Sequence, residues 1–181
     1  KDVEGRVVYS AIDMYGDFNC SNPLLNQIHK NVVWTFTNGL FGIPLDCLDR
    51  EHWAWTDPAT ITGSLYPRKY MPLFWTKWLK DIADAQQEDG VIPVVAPSYP
   101  SFADSEIDAA WGGNYPILVW YLYQYYEDSR ILEEHYPEMT KWMNYLSSIS
   151  EKHIVTKGRY GDHMLPGDFP GDEQFISKET P

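Results

Sequence analysis

Apolar residues recur at helical spacing in several long stretches of this chain, and this periodicity limits the fold more than any other feature. The first stretch follows Asn22-Pro23, where a capping side chain precedes a proline in the first helical turn. Asn38-Gly39 provides a stop signal. The spacing therefore predicts a helix between these two signals. Its apolar positions are Leu24, Leu25, Ile28, Val32 and Phe36.

Three further helices are predicted from the same spacing. They begin at or near Met71, Asn114 and Ser129. Asp89-Gly90 ends the first of them, and Pro116 is interpreted as belonging to the first turn of the second. In the third helix, the predicted buried side consists of Ile131, Leu132, Tyr136, Met139, Trp142, Met143, Leu146 and Ile149.

The remaining segments carry weaker patterns. Residues 6–18 are rich in β-branched and aromatic side chains and predict a strand and an extended lead-in segment. Asp57-Pro58 starts another helical segment, which Pro67 and Pro72 divide or kink. Residues 161–173 are rich in Gly, Pro and Asp and predict a loop. Helices joined by alternately short and long connections favour hairpins around an axis, in part of a larger assembly, with a site built from loops at one end.

Composition excludes several classes of protein. The chain has 181 residues, with 14 Lys and Arg against 26 Asp and Glu, and its formal charge of −12 opposes binding to nucleic acids and anionic membranes. Its longest apolar runs fall short of the ~20 residues of a membrane span. Cys20 and Cys47 match no metal spacing and are interpreted as thiols in preference to a single disulfide bridge. The sequence has no H-E-x-x-H, paired-Cys or EF-hand spacing, and we predict no metal and no cofactor. The acidic residues interpreted as a solvated loop, in preference to a Ca²⁺ site, are Asp162, Asp168, Asp172 and Glu173.

The most concentrated polar chemistry lies in residues 45–58, which carry four carboxylates, one arginine, one histidine and two tryptophans. Arg50 beside acidic residues either fixes a carboxylate or holds a hydroxyl-rich ligand through its fork of donors. A carboxyl group beside an indole ring loses solvation, which favours the protonated form that a general acid needs. Glu51, with Trp53 and Trp55 close in sequence, is the strongest candidate for that role. The loop therefore favours acid/base chemistry on a polyol.

Each of these residues also has a structural interpretation. Asp57 precedes Pro58 and is suited both to capping a helix and to binding a ligand. Asp46 or Asp49 can simply pair with Arg50, and either tryptophan can belong to the core. Aromatic residues make up 15% of the chain, so the rings can serve a core as well as a sugar site.

The run Asp46-Cys47-Leu48-Asp49-Arg50-Glu51, followed by Trp55-Thr56, resembles the signature of bacterial α-L-rhamnosidases, glycoside hydrolase family 78. That signature is roughly D-C-P-x-R-E/D-x-x-G-W-T-G-D. The chain departs from the family at Leu48, where the family has Pro, at Asp57, which stands one residue early, and at His163, where a Trp is common. Other similar segments, in the same order along nearly the whole chain, are Cys20–Asn26, Gln86–Pro93, Ala110-Trp111-Gly112 and Tyr160-Gly161-Asp162.

The resemblance implies an all-α fold, an (α/α)6 toroid of which only part is present, with a short β or extended N-terminal segment. Residues 1–20 would lead into the domain, and residues 21–181 would form its first part. The implied activity is removal of terminal α-L-rhamnosyl residues by an inverting mechanism, with Glu51 as general acid. The implied substrate-binding residues are Asp46, Arg50, Trp55, Asp57 and Trp111.

In this family the general base is a second glutamate far downstream, which would lie beyond Pro181, so the isolated chain is expected to be inactive. The implied partners are a rhamnose-containing oligosaccharide or glycoside and the remainder of a longer chain, with no nucleic acid and no membrane. The compartment is left open, with a periplasmic or secreted location preferred. The alternatives are a non-catalytic carbohydrate-binding homologue, a polysaccharide lyase on a related toroid, which the acidic balance disfavours, and a plain helical scaffold.

Overall fold

The computed structural model describes residues 3–12, 16–50, 52–57, 71–98, 107–158 and 160. Its regular elements within these ranges are four helices and one antiparallel hairpin in which Ser150 pairs with Val155. Helix α3 packs against both α2 and α4. No helix in the described ranges has the length and hydrophobicity needed to cross a membrane. The elements are α1 Pro23–Gly39, α2 Met71–Ala85, α3 Ala109–Tyr126, α4 Arg130–Ser148, β1 Ser150–Glu151 and β2 Ile154–Val155.

Helix α1 begins and ends where its sequence signals predict. The side chain of Asn22 accepts a hydrogen bond from the backbone N–H of Leu24 at 2.9 Å and so caps the helix. Its apolar stripe, however, is largely exposed in the described part of the chain, with Leu24 at 65%. The local signals therefore mark both ends of this helix.

Helix α2 begins at Met71 as predicted but ends at Ala85, before Asp89-Gly90. The chain turns instead of extending the helix, because the backbone N–H of Gln87 donates to the Val91 carbonyl at 3.0 Å. The apolar stripe of α2 is buried as its spacing predicts. The buried residues of this helix are Met71, Phe74, Trp75, Trp78, Leu79 and Ile82.

The predicted start of α3 near Asn114 is wrong. The helix begins at Ala109, because the carboxylate of Asp108 caps it by accepting hydrogen bonds from the backbone N–H groups of Ala110 and Trp111. Pro116 consequently lies inside the helix and not in its first turn. Proline has no backbone N–H to donate, so it is most common in the first turn of a helix. Pro116 therefore predicted a helix start at the wrong place.

Helix α4 begins after Ser129 as predicted, but part of its predicted buried side is wrong. Ile131 and Trp142 are buried, whereas Tyr136 is 67% exposed and Met143 is 54% exposed. The buried position is His135, whose Nδ1 lies 2.6 Å from the hydroxyl oxygen of Tyr115 on α3. The contact with Tyr115 on α3 therefore accounts for the burial of His135 in place of Tyr136.

The predicted strand in residues 6–18 is absent from the described residues of that range. The segment is instead an irregular lead-in that is fastened to the end of α1, because the backbone N–H of Ser10 donates to the Leu40 carbonyl at 2.7 Å. The hairpin of β1 and β2 was not predicted. Strands of two residues are too short to produce an alternating pattern.

Gly112 allows α3 and α4 to approach closely. A Cβ atom at this position would lie 2.7 Å from Cη2 and Cζ2 of Trp142, inside van der Waals contact. We expect Gly112→Ala to lower the free energy of unfolding by roughly 1–3 kcal/mol. Gly113 is the matched control, because a Cβ atom there meets nothing within 4 Å and Ala favours a helix. Urea unfolding followed by circular dichroism measures both, and equal stabilities would contradict the packing argument.

The burial of His135 makes stability depend on pH. Burial lowers its pKa below the usual 6.5, Lys80 acts in the same direction, and Glu134 and Glu138 oppose the shift. The hydroxyl of Tyr115 contacts Nδ1, and Nε2 has no hydrogen-bond partner among the described residues. Below pH 6.5 the unfolded histidine binds a proton that the folded one excludes, so stability falls as pH falls and is fully present above this range.

The test of this pH dependence compares His135→Gln with the parent. We expect the parent to lose stability between pH 7 and pH 5 more steeply than His135→Gln, because glutamine does not titrate. Thermal unfolding midpoints at several pH values measure the difference. The same slope in both proteins would exclude His135 as the titrating group.

Candidate active site

The polar loop after α1 is closed at both ends by backbone hydrogen bonds. The N–H of Leu45 donates to the Gly39 carbonyl at 2.7 Å, and the N–H of Asp46 donates to the Trp53 carbonyl at 2.9 Å. Within the loop, Cys47 and His52 both adopt positive φ angles. These contacts hold Asp46 next to Trp53 and anchor the start of the loop to the C-terminal end of α1.

The candidate acid Glu51 lies outside the described residues. Its two neighbours are described, and both are held by the preceding turn. Nη2 of Arg50 donates to Sγ of Cys47 at 3.3 Å, and Nε2 of His52 lies 2.6 Å from the Leu48 carbonyl oxygen. The backbone of Arg50 also donates to the Cys47 carbonyl at 2.8 Å. The residues flanking Glu51 are therefore constrained by short local contacts.

Three carboxylates of the loop line one cavity of about 460 Å³. They are Asp46, Asp49 and Asp57, and the buried ring of Trp75 lies against the same cavity. The structure thus brings together Asp46 and Asp57, two of the residues predicted to bind substrate. The helix that Asp57 was alternatively expected to cap, which would begin at 58, lies outside the described residues. A larger hollow of about 720 Å³ adjoins the cavity, and His52 lines it.

The tryptophans of the loop lie on one side of a short paired segment. Trp55 forms an antiparallel bridge with Val95, supported by a hydrogen bond from the Thr56 N–H to the Val94 carbonyl at 2.8 Å. Because side chains alternate in extended backbone, Ala54 and Thr56 are buried, whereas Trp53 and Trp55 are half-buried. The rings are therefore neither core residues nor free surface residues.

Aromatic rings from three separate segments meet here. The Tyr160 ring lies edge-on to Trp55 with centroids 5.6 Å apart, and its centroid lies 5.1 Å from that of Trp111. Trp53 lies 5.8 Å from Trp55, and Val94 and Val95 pack behind the rings. We call Trp53, Trp55, Trp111 and Tyr160 the aromatic wall. It unites Trp55 and Trp111, which were predicted to contact sugar.

The sequence reasoning did not identify Tyr160 as a site residue. Its turn with Gly161 and Asp162 carried a family resemblance, and that was the available signal. Asn114 was also missed as a support of the loop; its buried side-chain amide donates from Nδ2 to the Thr56 carbonyl at 2.7 Å. This bond ties the base of the paired segment to α3.

The described part of the chain contains no group of three or more His, Cys, Asp or Glu side chains placed to hold a metal ion. Neither Cys20 nor Cys47 forms a disulfide bond among the described residues, in agreement with their interpretation as thiols. The acidic residues at 162–173, which were interpreted as a solvated loop, lie outside the described residues. The side chains at the candidate site are carboxylates, one guanidinium group and aromatic rings. Such a set suits acid/base chemistry on a hydroxyl-rich ligand.

Two curated relatives, both called α-L-rhamnosidase, resemble the chain over most of its length. The protein from Alteromonas sp. (strain LOR) is 34% identical over 167 residues, which cover 91% of this chain and 18% of the relative. The protein from Streptomyces avermitilis is 32% identical over 183 residues, covering 99% of this chain and 16% of the relative. The chain thus spans less than a fifth of the length of these relatives.

Two solved structures share the fold. The α-L-rhamnosidase from Dictyoglumus thermophilum superposes with a TM-score of 0.82 at 36% identity, over 94% of this chain and 19% of the other. The Streptomyces avermitilis α-L-rhamnosidase complexed with L-rhamnose gives a TM-score of 0.74 at 31% identity, over 81% of this chain and 14% of the other. The family model of the bacterial α-L-rhamnosidase six-hairpin glycosidase domain matches residues 13–179. The mostly helical chain is therefore part of an (α/α) toroid and belongs to the bacterial α-L-rhamnosidase family.

Proposed function

We propose that this chain supplies the acid side of the active site of an enzyme that hydrolyses terminal α-L-rhamnosyl linkages with inversion. In this proposal the carboxyl group of Glu51 gives its proton to the glycosidic oxygen as the bond to the anomeric carbon breaks. A second carboxylate, from a part of the enzyme outside these residues, removes a proton from the attacking water. Inverting enzymes place the two carboxyl groups about 6.5–9.5 Å apart so that this water fits between them.

Sugar recognition is divided between the cavity and the aromatic wall. Asp46 lines the cavity and accepts hydrogen bonds from sugar hydroxyls, while the fork of Arg50 donates to hydroxyl oxygens. Asp57 lines the same cavity and serves as a further acceptor. Trp55 and Trp111 offer their rings to the apolar face of the sugar and to its methyl group. Burial of that face in a dry pocket strengthens every polar contact around it.

One observation supports this function over the alternative functions. The loop that contains Asp46, Arg50 and Asp57 also supplies Trp55, and Trp55 joins Trp111 through Tyr160. One short stretch of sequence thus supplies the polar groups for the hydroxyls and one of the rings for the apolar face, and two other segments complete the aromatic wall. A plain helical scaffold gives no reason for this arrangement.

The proposal is tested with the full-length protein that contains these residues. We expect release of L-rhamnose from an alkyl α-L-rhamnoside, and a kcat/KM about tenfold or more lower for the corresponding α-L-mannoside, which differs by a hydroxyl group on the methyl carbon. Binding of L-rhamnose without release from any of several rhamnosides would instead identify a non-catalytic binding homologue. If the protein neither binds L-rhamnose nor releases it from any of these rhamnosides, the proposal is contradicted.

A further inference from the structure

The side chain of Asp108 joins two segments that contribute to the aromatic wall. The residue is 2% exposed. Its Oδ1 accepts hydrogen bonds from the backbone N–H groups of Ala110 at 2.8 Å and Trp111 at 3.2 Å. Its Oδ2 accepts a hydrogen bond from the backbone N–H of Tyr160 at 2.8 Å. One buried carboxylate therefore holds the first turn of α3 and a residue that follows the hairpin of β1 and β2.

The rings carried by these two segments lie against each other. The centroids of Trp111 and Tyr160 are 5.1 Å apart, and Tyr160 in turn lies edge-on to Trp55. Asp108 binds the backbone N–H of each of these two residues, so the carboxylate fixes the backbone positions from which both side chains extend. We propose that Asp108 is a positioning residue for sugar binding, acting through Tyr160, which is a substrate-contacting member of the aromatic wall. This inference rests on the proposed function.

Capping of α3 does not by itself account for an aspartate at this position. Serine caps helices about as well as aspartate, because one side-chain oxygen suffices for the first-turn N–H groups. The second carboxylate oxygen of Asp108 accepts a hydrogen bond from the backbone N–H of Tyr160, which lies far away in sequence. Hydrogen bonds to a carboxylate are also about twice as strong as those between neutral groups. The chemistry of aspartate is therefore matched to the link with Tyr160.

Asp108→Ser separates the two roles, because serine retains the cap and loses the link. In the full-length enzyme, we expect Asp108→Ser to raise the Kd for L-rhamnose about tenfold, which corresponds to about 1.4 kcal/mol. The KM for an alkyl rhamnoside should rise with it, while kcat changes little. Asp108→Ala should bind as weakly as Asp108→Ser but unfold at a lower temperature, because the cap is lost as well.

Three further variants make the assignment specific. Asp128→Ser is the matched control, because Asp128 also accepts a hydrogen bond near a helix start, from the Arg130 N–H at 3.2 Å, but is not part of the aromatic wall. Its Kd should equal that of the parent. Tyr160→Ala keeps Asp108 and the cap, and should raise the Kd at least as much as Asp108→Ser. The double variant should bind no more weakly than Tyr160→Ala alone, because the two residues act as one unit.

The outcomes are distinguishable. A parent that binds L-rhamnose while Asp108→Ser or Tyr160→Ala binds equally well overturns this inference and leaves the proposed function standing. Additive effects in the double variant also overturn it, because Asp108 would then act by another route. A parent that neither binds nor releases L-rhamnose overturns the proposed function and this inference together. Isothermal titration calorimetry with L-rhamnose supplies each Kd, and circular dichroism reports the folding of each variant.

Discussion

Replacing Glu51 with glutamine in the full-length enzyme should lower kcat for an alkyl α-L-rhamnoside by about 10²-fold or more, the contribution typical of general acid catalysis. The amide keeps the shape of the carboxyl group but has no acidic proton for the departing oxygen. An alkoxide is a poor leaving group and depends on that proton. Initial rates of L-rhamnose release at saturating substrate measure the effect.

The leaving group provides the internal control for this variant. A nitrophenolate departs with little acid assistance, so the Glu51→Gln defect should be much smaller on a nitrophenyl rhamnoside. Glu88→Gln is the matched control, because Glu88 is exposed on the turn after α2, and both rates should equal those of the parent. An unchanged kcat for Glu51→Gln on the alkyl substrate would remove Glu51 as the acid.

Arg50→Met should produce the second large effect, a loss in kcat/KM of roughly 10–100-fold. This range corresponds to the ~1.5–3 kcal/mol of hydrogen bonds that involve a charged group. Methionine retains much of the side-chain length but removes the donors that we propose hold the sugar hydroxyls. Full progress curves at several rhamnoside concentrations separate the change in KM from that in kcat.

Two further arginine variants test the geometry. Arg50→Lys keeps the charge but not the planar fork, so its loss should lie between that of Arg50→Met and the parent. Arg130→Met should leave the kinetics unchanged, because Arg130 is exposed at the start of α4, pairs with Asp128 and lines neither cavity of the candidate site. Equal activity of Arg50→Met and the parent would exclude Arg50 from substrate binding.

The helices were predictable to the extent that their signals are local. Asn22 caps α1 with its own side chain, and the stop signal lies next to the last turn, so both ends of that helix followed from sequence. The start of α3 was predicted wrongly, because Pro116 is a stronger local signal than Asp108. Only packing in three dimensions makes a proline acceptable inside that helix.

The burial pattern of α4 was likewise predicted only in part. Periodicity placed Tyr136 on the buried side, but the contact of Tyr115 with His135 turns the neighbouring position inward. A hydrophobic pattern does not contain this information, since it treats histidine as polar. The exposure of Tyr136 therefore has a tertiary cause.

The sequence offered individual candidate site residues, but not the way in which they assemble. Asp46 and Asp57 line one cavity, and Trp55 and Trp111 both lie against Tyr160. The ring between the tryptophans comes from Tyr160, distant in sequence from both, and periodicity offers no means of finding it. The two segments that carry Trp111 and Tyr160 are joined by the buried carboxylate of Asp108, which the sequence pattern did not single out.

The most direct test of the account is a ¹H NMR time course of the full-length enzyme with methyl α-L-rhamnoside. Inverting hydrolysis of an α-linkage predicts that β-L-rhamnose appears first and that the α anomer accumulates afterwards by mutarotation. Early appearance of α-L-rhamnose would establish retention and contradict the proposed acid/base mechanism. Absence of rhamnose from this and other α-L-rhamnosides would contradict the assignment of the activity itself.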